Sequence, residues 1–512
     1  MPEPRYDKGH PMSVIVETVY GKLAGEERGG ITSFLGVPFA APPFGPRRFR
    51  PPARPARWDG TRPANQRGLI VPQPTPAALV EADMYRPSMD SDGGQQHGED
   101  CLNLNVWTPD PGGGGLPVMV FLHGGGQVVG TGSDPWYDGT HLAREGVVVV
   151  TTNRRLGAEG YLYLRDWFDD ERSTGNFGLL DVIESLRWVQ ENIAAFGGDP
   201  GNVTLFGESG GGIATTAVLS MDASRGLLHR AIAQSAVDGV NAPEAAARAS
   251  RKLLELVGVA PGDWDGLVAT PWRKFVDVFP KTLQIDEESG LEPYIPTLGE
   301  LLPERPSEAI PAGAARDVSL LIGTNLDEEK LMERIVPMQG AGLANLSLAG
   351  VQKQLGAAGI RLDDVLDAYD RARPGLSRDE LATALIGDFT FRIPSLKIAD
   401  GHSRHSPGRT FMYLFSWASP NLGAAHALDL APLFGNYDNR YNELAGDAPH
   451  EKLDRAMRRA WSAFARTGDP STQELPWPSY GTTTRRTMQL DETCRVLEDP
   501  YALQREALAK LP

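Results

Sequence analysis

Apolar residues in this chain collect into short unbroken runs. Val118–Leu122, Val147–Val150, Val203–Phe206, Ala231–Ala233 and Leu320–Ile322 contain no polar residue except Thr204. A strand with one wet face alternates apolar and polar positions, whereas a continuous run marks a strand covered on both sides, as in a parallel sheet flanked by helices. Helical stretches separate the runs, so the pattern predicts an α/β fold with a large, mostly parallel central sheet. Between Asn241 and Leu396 the pattern changes. Glu244–Val257, Val351–Leu355 and Leu362–Tyr369 show helical spacing, interrupted only by the strand near 320, which predicts a helical, cap-like insertion over roughly 241–396. Phe411–Phe415 then returns to the sheet, and Lys452–Arg466 reads as an amphipathic closing helix. There is no internal repeat, and the one low-complexity turn is Pro111–Gly115. Residues 1–12 read as an N-terminal tail and 13–505 as a single domain.

With 512 residues, 41% of them hydrophobic, the chain can bury a large core. Its net charge of −16 and pI near 5.1 argue against nucleic acid and against anionic membrane surfaces as partners. A small-molecule substrate fits better, handled by a monomer or a small homo-oligomer. Met1–Pro11 lacks the apolar core of a secretory signal, and no later segment offers about 18 apolar residues for a membrane span. The expected location is therefore cytoplasmic. Cys101 and Cys494 are the only cysteines, too few for a disulfide framework or a cysteine-built zinc site, and no metal is expected.

The chemistry is concentrated at Gly207-Glu208-Ser209-Gly210-Gly211, directly after the run Val203–Phe206. Gly-x-Ser-x-Gly is a weak signal by itself in a chain with 57 glycines. Placed between a strand and a small-residue helix, it has the form of a nucleophile elbow, a turn so sharp that the serine hydroxyl is left exposed at its tip. Such a serine needs oxyanion donors, a base and an acid that orients the base. His123-Gly124-Gly125-Gly126, at the end of Val118–Leu122, can turn backbone N–H groups toward a substrate carbonyl; it lacks the lysine and spacing of a phosphate loop. For the base, chain order leaves His402, His405, His426 and His450. His402 and His405 lie in a polar Gly-His-Ser-Arg-His-Ser stretch and His450 in a charged run, so all three are expected to be solvated. His426 has small neighbours that let an imidazole face inward. For the acid, Asp327, Glu328 and Glu329 follow the strand near 320, and spacing does not choose among them.

Longer stretches carry a resemblance. Phe34–Pro43 (Phe-Leu-Gly-Val-Pro-Phe-Ala-Ala-Pro-Pro), Glu99–Val106 (Glu-Asp-Cys-Leu-Asn-Leu-Asn-Val), Asn176–Asp181 (Asn-Phe-Gly-Leu-Leu-Asp) and Trp188–Pro200 leading into the elbow are similar to the type B carboxylesterases. These form the cholinesterase-like branch of the α/β-hydrolases, and the likeness, which is to the bacterial para-nitrobenzyl-esterase-like group, runs from about Val14 to Tyr501. The resemblance implies an α/β-hydrolase fold with Ser209 as nucleophile, His426 as base and Glu328 as the orienting acid. It further implies Gly125, Gly126 and Gly210 as oxyanion donors, with Glu208 and Ser235 as supporting groups behind the triad. The chain also departs from the family pattern. Gly210 replaces the usual alanine, and an alanine there is expected to be tolerated, whereas a branched side chain at 211 is not. Gln127 stands where an aromatic commonly follows the glycines, as a substrate-pocket candidate or a brace for the loop. Arg154 and Glu159 replace aromatic and apolar residues. Val71 takes the place of a cysteine that in secreted relatives pairs with the one matching Cys101, so that disulfide is not expected. The resulting expectation is a serine carboxylic-ester hydrolase, free of metal and organic cofactor, acting on small to medium alkyl or aryl esters. The alternatives are an amidase or carbamate hydrolase with the same triad and, further off, a non-catalytic cholinesterase-like binding protein.

Overall fold

A computed structural model describes residues 12–74, 96–170, 172, 174–282, 294–331, 348–437, 441–442, 445–446 and 451–509. The tail through Pro11, parts of the expected insertion and His450 lie outside the described residues.

Thirteen strands of the described residues form one sheet. In its N-terminal part β1 (Met12–Thr18), β2 (Gly21–Arg28), β3 (Ile31–Pro38) and β5 (Asn103–Thr108) lie side by side and antiparallel, with the short β4 (Thr61–Pro63) paired parallel to β2. Next to β5 the sheet continues in the order β7 (Val148–Thr152), β6 (Leu116–Leu122), β8 (Gly198–Glu208), β9 (Arg230–Gln234), β10 (Ser319–Asn325), β11 (Thr410–Phe415) and β12 (Arg486–Leu490). These seven are mutually parallel, and β13 (Arg495–Glu498) closes the edge antiparallel to β12. All the predicted runs fall on strands β6 to β11.

Their unbroken apolar character follows from burial on both faces. Along β6, Val118, Val120 and Leu122 enter one core while Met119 and Phe121 enter the other. Val148 and Val150 against Val149, Ala231 and Ala233 against Ile232, and Leu320 and Ile322 against Leu321 divide in the same way. The side-chain period of two thus sends alternate residues of one run into two separate layers. Helix Phe177–Asn192 covers the first face with Leu179, Val182, Ile183, Leu186 and Val189. The closing helix, Glu451–Thr467, covers the second with Leu453, Met457, Ala460, Trp461 and Phe464, a spacing of three and four that forms one apolar stripe.

The expected helical material is present on both sides of β10. Pro243–Val257, Trp264–Ala269 and Trp272–Asp277 precede it, and Leu348–Ala357, Leu362–Ala372, Arg378–Gly387 and Ile393–His405 follow it. Pro243 opens the first of these, and Gly258, left-handed at φ 71°, ends it. Helices 348–387 surround a small core of their own, which includes Val351, Leu355, Leu366, Tyr369 and Leu385. Among the described residues no helix is long and apolar enough to cross a membrane.

One buried ion pair fixes the segment after β7. Arg155 donates through its backbone N and its Nε to Asp181 Oδ2 at 2.9 and 2.8 Å, and through Nη2 to Oδ1 at 2.7 Å, with neither side chain exposed. Breaking such a pair from one side leaves a charge without solvent or partner. Arg155→Met is expected to cost about 3–5 kcal/mol in denaturant unfolding, and Arg155→Met/Asp181→Leu clearly less, because no lone charge remains. A single variant as stable as wild type would remove this pair from among the anchors of the fold.

Candidate active site

Strand β8 ends at Glu208, and helix Gly210–Leu219 begins after a single residue. That residue, Ser209, has φ 53° and ψ −120°, which is costly for a side chain with a Cβ and holds its hydroxyl out of both elements. The turn is held by Ser209 N donating to Gln234 O at 3.0 Å and Ile213 N to Ser209 O at 2.9 Å. Neighbouring backbone closes around it: a Cβ at Gly211 would lie 1.9 Å from Leu122 O, so the intolerance expected at 211 has a direct steric cause.

Beyond β11, the loop Ser416–Asp429 carries His426, which is buried. Its Nδ1–H donates to Glu328 Oε2 at 2.6 Å. Glu328 sits just past β10, and its Oε1 accepts from Ser235 Oγ and from Asn325 N, each at 2.7 Å. Both carboxylate oxygens are thereby committed and the plane of the acid is fixed. The three adjacent carboxylates separate cleanly. Asp327 turns to Arg373 at 2.8 Å and Lys330 at 3.2 Å, and the bond to His426 comes from Glu328 and not from Glu329. The other nitrogen, Nε2, makes no hydrogen bond among the described residues, although Glu208 Oε1 lies 3.1 Å away. Phe391 packs on the imidazole with ring centroids 4.8 Å apart, and it belongs to a π-helical turn, Asp388–Arg392.

Of the other histidine candidates, His402 and His405 lie among the described residues and His450 does not. His402 corrects the sequence reading: it is not solvated but fully buried on helix Ile393–His405, bonded to Thr410 Oγ1 at 2.7 Å and near Ala315 O and Val318 O at 3.2 and 3.1 Å. The stretch looks polar, yet a helix turns one side of it inward, and His405 three residues on is exposed as expected.

The loop after β6 lies against the elbow. Gly125 and Gly126 have φ 98° and 60°, and the N–H groups of Gly125, Gly126 and Gly210 donate to no acceptor among the described residues. Gln127, considered as a pocket residue, has no exposed surface. Its Nε2 donates to Gly210 O at 2.5 Å, and its Oε1 accepts from Tyr161 Oη at 2.8 Å and Arg154 Nε at 3.2 Å. The amide thus links the Gly210 carbonyl on one side to Tyr161 and Arg154 on the other, the contacts that a brace for the loop would make. The expected tolerance of alanine at 210 also needs correction, because a Cβ there would stand 2.9 Å from Gly126 N and 3.1 Å from Gln127 N.

Sequence reasoning did not find Phe391, Asn325 or Asp429. Asp429, fully buried, accepts from Gln234 Nε2 at 2.8 Å and Tyr413 Oη at 2.9 Å beneath the histidine loop. A lone carboxylate inside Ala427-Leu428-Asp429-Leu430 was the available signal. Glu159, a departure of unstated purpose, forms a buried ion pair with Arg48 at 2.5 Å.

The fold and this arrangement define an α/β-hydrolase, and residues 12–507 match the carboxylesterase family. The chain is 36% identical to the para-nitrobenzyl esterase of Bacillus subtilis (strain 168), over 96% of its own length and 98% of that protein's. It is 32% identical to the phenmedipham hydrolase of Pseudarthrobacter oxydans, over 91% and 92% of the two chains. The crystal structure of a carboxylesterase of Geobacillus stearothermophilus superposes with a TM-score of 0.82 at 34% identity, over 96% of this chain and 99% of the other. This chain therefore belongs to the carboxylesterase family and is a carboxylic-ester hydrolase.

Charge around His426 is crowded. Burial alone would lower its pKa, but Glu208 and Glu328, one facing each nitrogen, outweigh that and raise it above the ordinary imidazole value. Burial also raises Glu208, to about 8, against the opposing pull of His426 and with Asp429 and Glu328 adding to the rise. Glu208 and His426 titrate as a pair, since an ionised Glu208 holds a proton on the imidazole and a neutral one does not. A protonated imidazole cannot accept a proton, so with His426 as the expected base a raised pKa would move the acid limb of kcat/KM to higher pH than the ordinary value of about 6.5. Glu208→Gln removes one of the two charges that hold the proton, and the limb is expected to move down by about 1–3 pH units. Rate profiles between pH 4 and 10 test this; a limb that stays put or moves upward counts against the coupling.

Proposed function

We propose that this carboxylesterase works through a Ser209–His426–Glu328 triad on small to medium alkyl or aryl esters. Ser209 Oγ attacks the ester carbonyl while His426 Nε2 takes the hydroxyl proton. Glu328 keeps the imidazole in the tautomer with Nδ1 protonated and stabilises the imidazolium that forms. Negative charge on the carbonyl oxygen is received by the N–H groups of Gly125, Gly126 and Gly210. The imidazolium returns its proton to the departing alkoxide, leaving an acyl group on Ser209. Water enters under the same base and releases the acid.

The observation that carries this reading is the state of His426: Nδ1 is bonded to a carboxylate that is itself doubly anchored, and Nε2 is buried and, among the described residues, makes no hydrogen bond. Nε2 lies 3.1 Å from Glu208, the residue before Ser209 in the strained turn, and with the N–H groups of Gly125, Gly126 and Gly210, which meet no acceptor among the described residues, these are the parts that acyl transfer needs.

Ser209→Ala is expected to abolish hydrolysis of a panel of alkyl and aryl esters, and labelling by a fluorophosphonate, in a protein whose circular dichroism is unchanged. Glu328→Gln is expected to lower kcat by about 10³–10⁴-fold, the scale seen when an orienting acid loses its charge. Glu329→Gln is expected to stay within about threefold of wild type. Equal losses at 328 and 329, or turnover by the alanine variant, would show the triad to be misassigned.

A further inference from the structure

Arg154 is fully buried and has no carboxylate among its bonded partners. Nε donates to Gln127 Oε1 at 3.2 Å, Nη2 donates to His123 O at 3.0 Å, and Nη1 has no hydrogen-bond partner among the described residues. Burying a cation in this way costs several kcal/mol unless its surroundings repay it, and packing alone would be served better by an apolar side chain. The Gln127 and His123 oxygens belong to one segment, the loop His123–Gln127 that contains Gly125 and Gly126, and the Tyr161 side chain stands against the same guanidinium.

The orientation of Gln127 follows from that cation. Arg154 cannot accept a hydrogen bond, and Tyr161 Oη adds a second donor at 2.8 Å, so the amide oxygen must face them. The amide NH₂ is then forced to the opposite side, where Gly210 O accepts from it at 2.5 Å. Gln127 holds this position with φ 64°, and its own carbonyl accepts from Gly157 N at 2.8 Å. On the far side of the clamp the approach is too close for any side chain at residue 210, whose Cβ would meet Gly126 N at 2.9 Å.

We propose that Arg154, Gln127 and Gly210 act as one device that draws the loop onto the elbow and sets the distance between the N–H groups of Gly126 and Gly210. Arg154 orients Gln127, Gln127 pulls on the Gly210 carbonyl, and the missing Cβ at 210 makes the short approach possible. Arg154 and Gln127 are positioning residues: they touch neither the reacting serine nor the imidazole. The inference rests on the proposed reading of those N–H groups as the oxyanion site.

Gln127→Glu separates positioning from structural support. The carboxylate keeps the size of the side chain and gives Arg154 a full ion pair, so the fold is retained, but it has no hydrogen to donate to Gly210 O. For Gln127→Glu, kcat on 4-nitrophenyl acetate is expected to fall about 10–100-fold with KM within about twofold, because a displaced donor is felt mainly in the transition state. Inhibition by an aryl trifluoromethyl ketone, whose adduct with serine carries the oxyanion, is expected to weaken by the same factor. The thermal midpoint is expected not to fall. Gly210→Ala alone should lower kcat similarly, and the double variant should be no worse than the poorer single one, since a released loop already has room for the methyl. Wild-type kcat and ketone affinity in either single variant, or losses that multiply in the double variant, overturn the proposal. Should Gln127→Glu fail to fold, Gly210→Ala alone decides it. Fluorophosphonate labelling of Ser209 in each variant keeps the two readings apart: full labelling with unchanged ketone affinity defeats the clamp alone, and absent labelling in wild type defeats the triad.

Discussion

The parallel pairing of β6 with β8 sets Leu122 beside Gly207, and nearly every other feature of the site is measured from that register. Gly207 pairs with Ala233 on β9, Gln234 pairs with Gly323 on β10, and Asn325 pairs with Phe415 on β11. Each of these strands therefore stops at about the same height. The residues that follow, His123–Gln127, Ser209, Ser235, Glu328 and the loop to His426, open onto one edge of the sheet. A slip of one residue in any strand would send its side chains to the opposite face, and both faces are packed with apolar groups that resist it. Chemistry at the carboxyl ends is thus held in place by two hydrophobic layers that have no chemical role.

The same register explains the backbone strain at the site. Ser209, Ser235, Gln127 and Ala427 all have positive φ; Ser209 and Ser235 come directly after the ends of β8 and β9, and Gln127 and Ala427 lie in the loops that follow β6 and β11. Such conformations cost about 1–3 kcal/mol each and persist only where the surroundings leave no alternative. Here the surroundings are backbone hydrogen bonds, from Ser209 N to Gln234 O and from Ser235 N to Gly323 O, which tie each turn to the strand next to it. Strain at one turn is carried by the pairing of its neighbour.

How much of this is legible in the sequence depends on the range of the interaction. The runs Val118–Leu122 and Val203–Phe206 announce buried strands because a two-sided core leaves its mark on consecutive residues. The elbow and the glycine loop are equally local, and their place directly after those runs is what distinguishes them from the chain's many other glycines. The choice of Glu328 over Asp327 is not local. It is made by Arg373, 46 residues away, which takes Asp327 and leaves the next carboxylate to the imidazole. His402 was misread for a related reason: six polar-looking letters say nothing about which side of a helix meets Thr410 and the Ala315 and Val318 carbonyls. Phe391 gave no usable signal, and the lone acid Asp429 in its apolar stretch marked only a buried carboxylate, whose meaning comes from the Gln234 and Tyr413 side chains that lie against it.

Arg154 and Arg155 are adjacent in sequence and equally buried, yet they are satisfied in opposite ways. Arg155 meets a carboxylate on helix Phe177–Asn192, so its charge is cancelled where it stands and its effect is confined to anchoring the fold. Arg154 meets the neutral oxygens of Gln127 and His123 and the Tyr161 side chain, with no carboxylate bonded to it among the described residues, so its positive charge stands beside the loop where negative charge is proposed to develop. In a buried environment such a charge is screened far less than at the surface. It also depresses the basicity of His123, which burial has already lowered, and so keeps that imidazole neutral under the glycines. A neutral His123 can donate Nδ1–H to Gly124 O at 2.8 Å without adding a second cation to the loop. Between them the two arginines divide the work of the segment after β7: one holds it to the helix layer, and the other holds the loop to it.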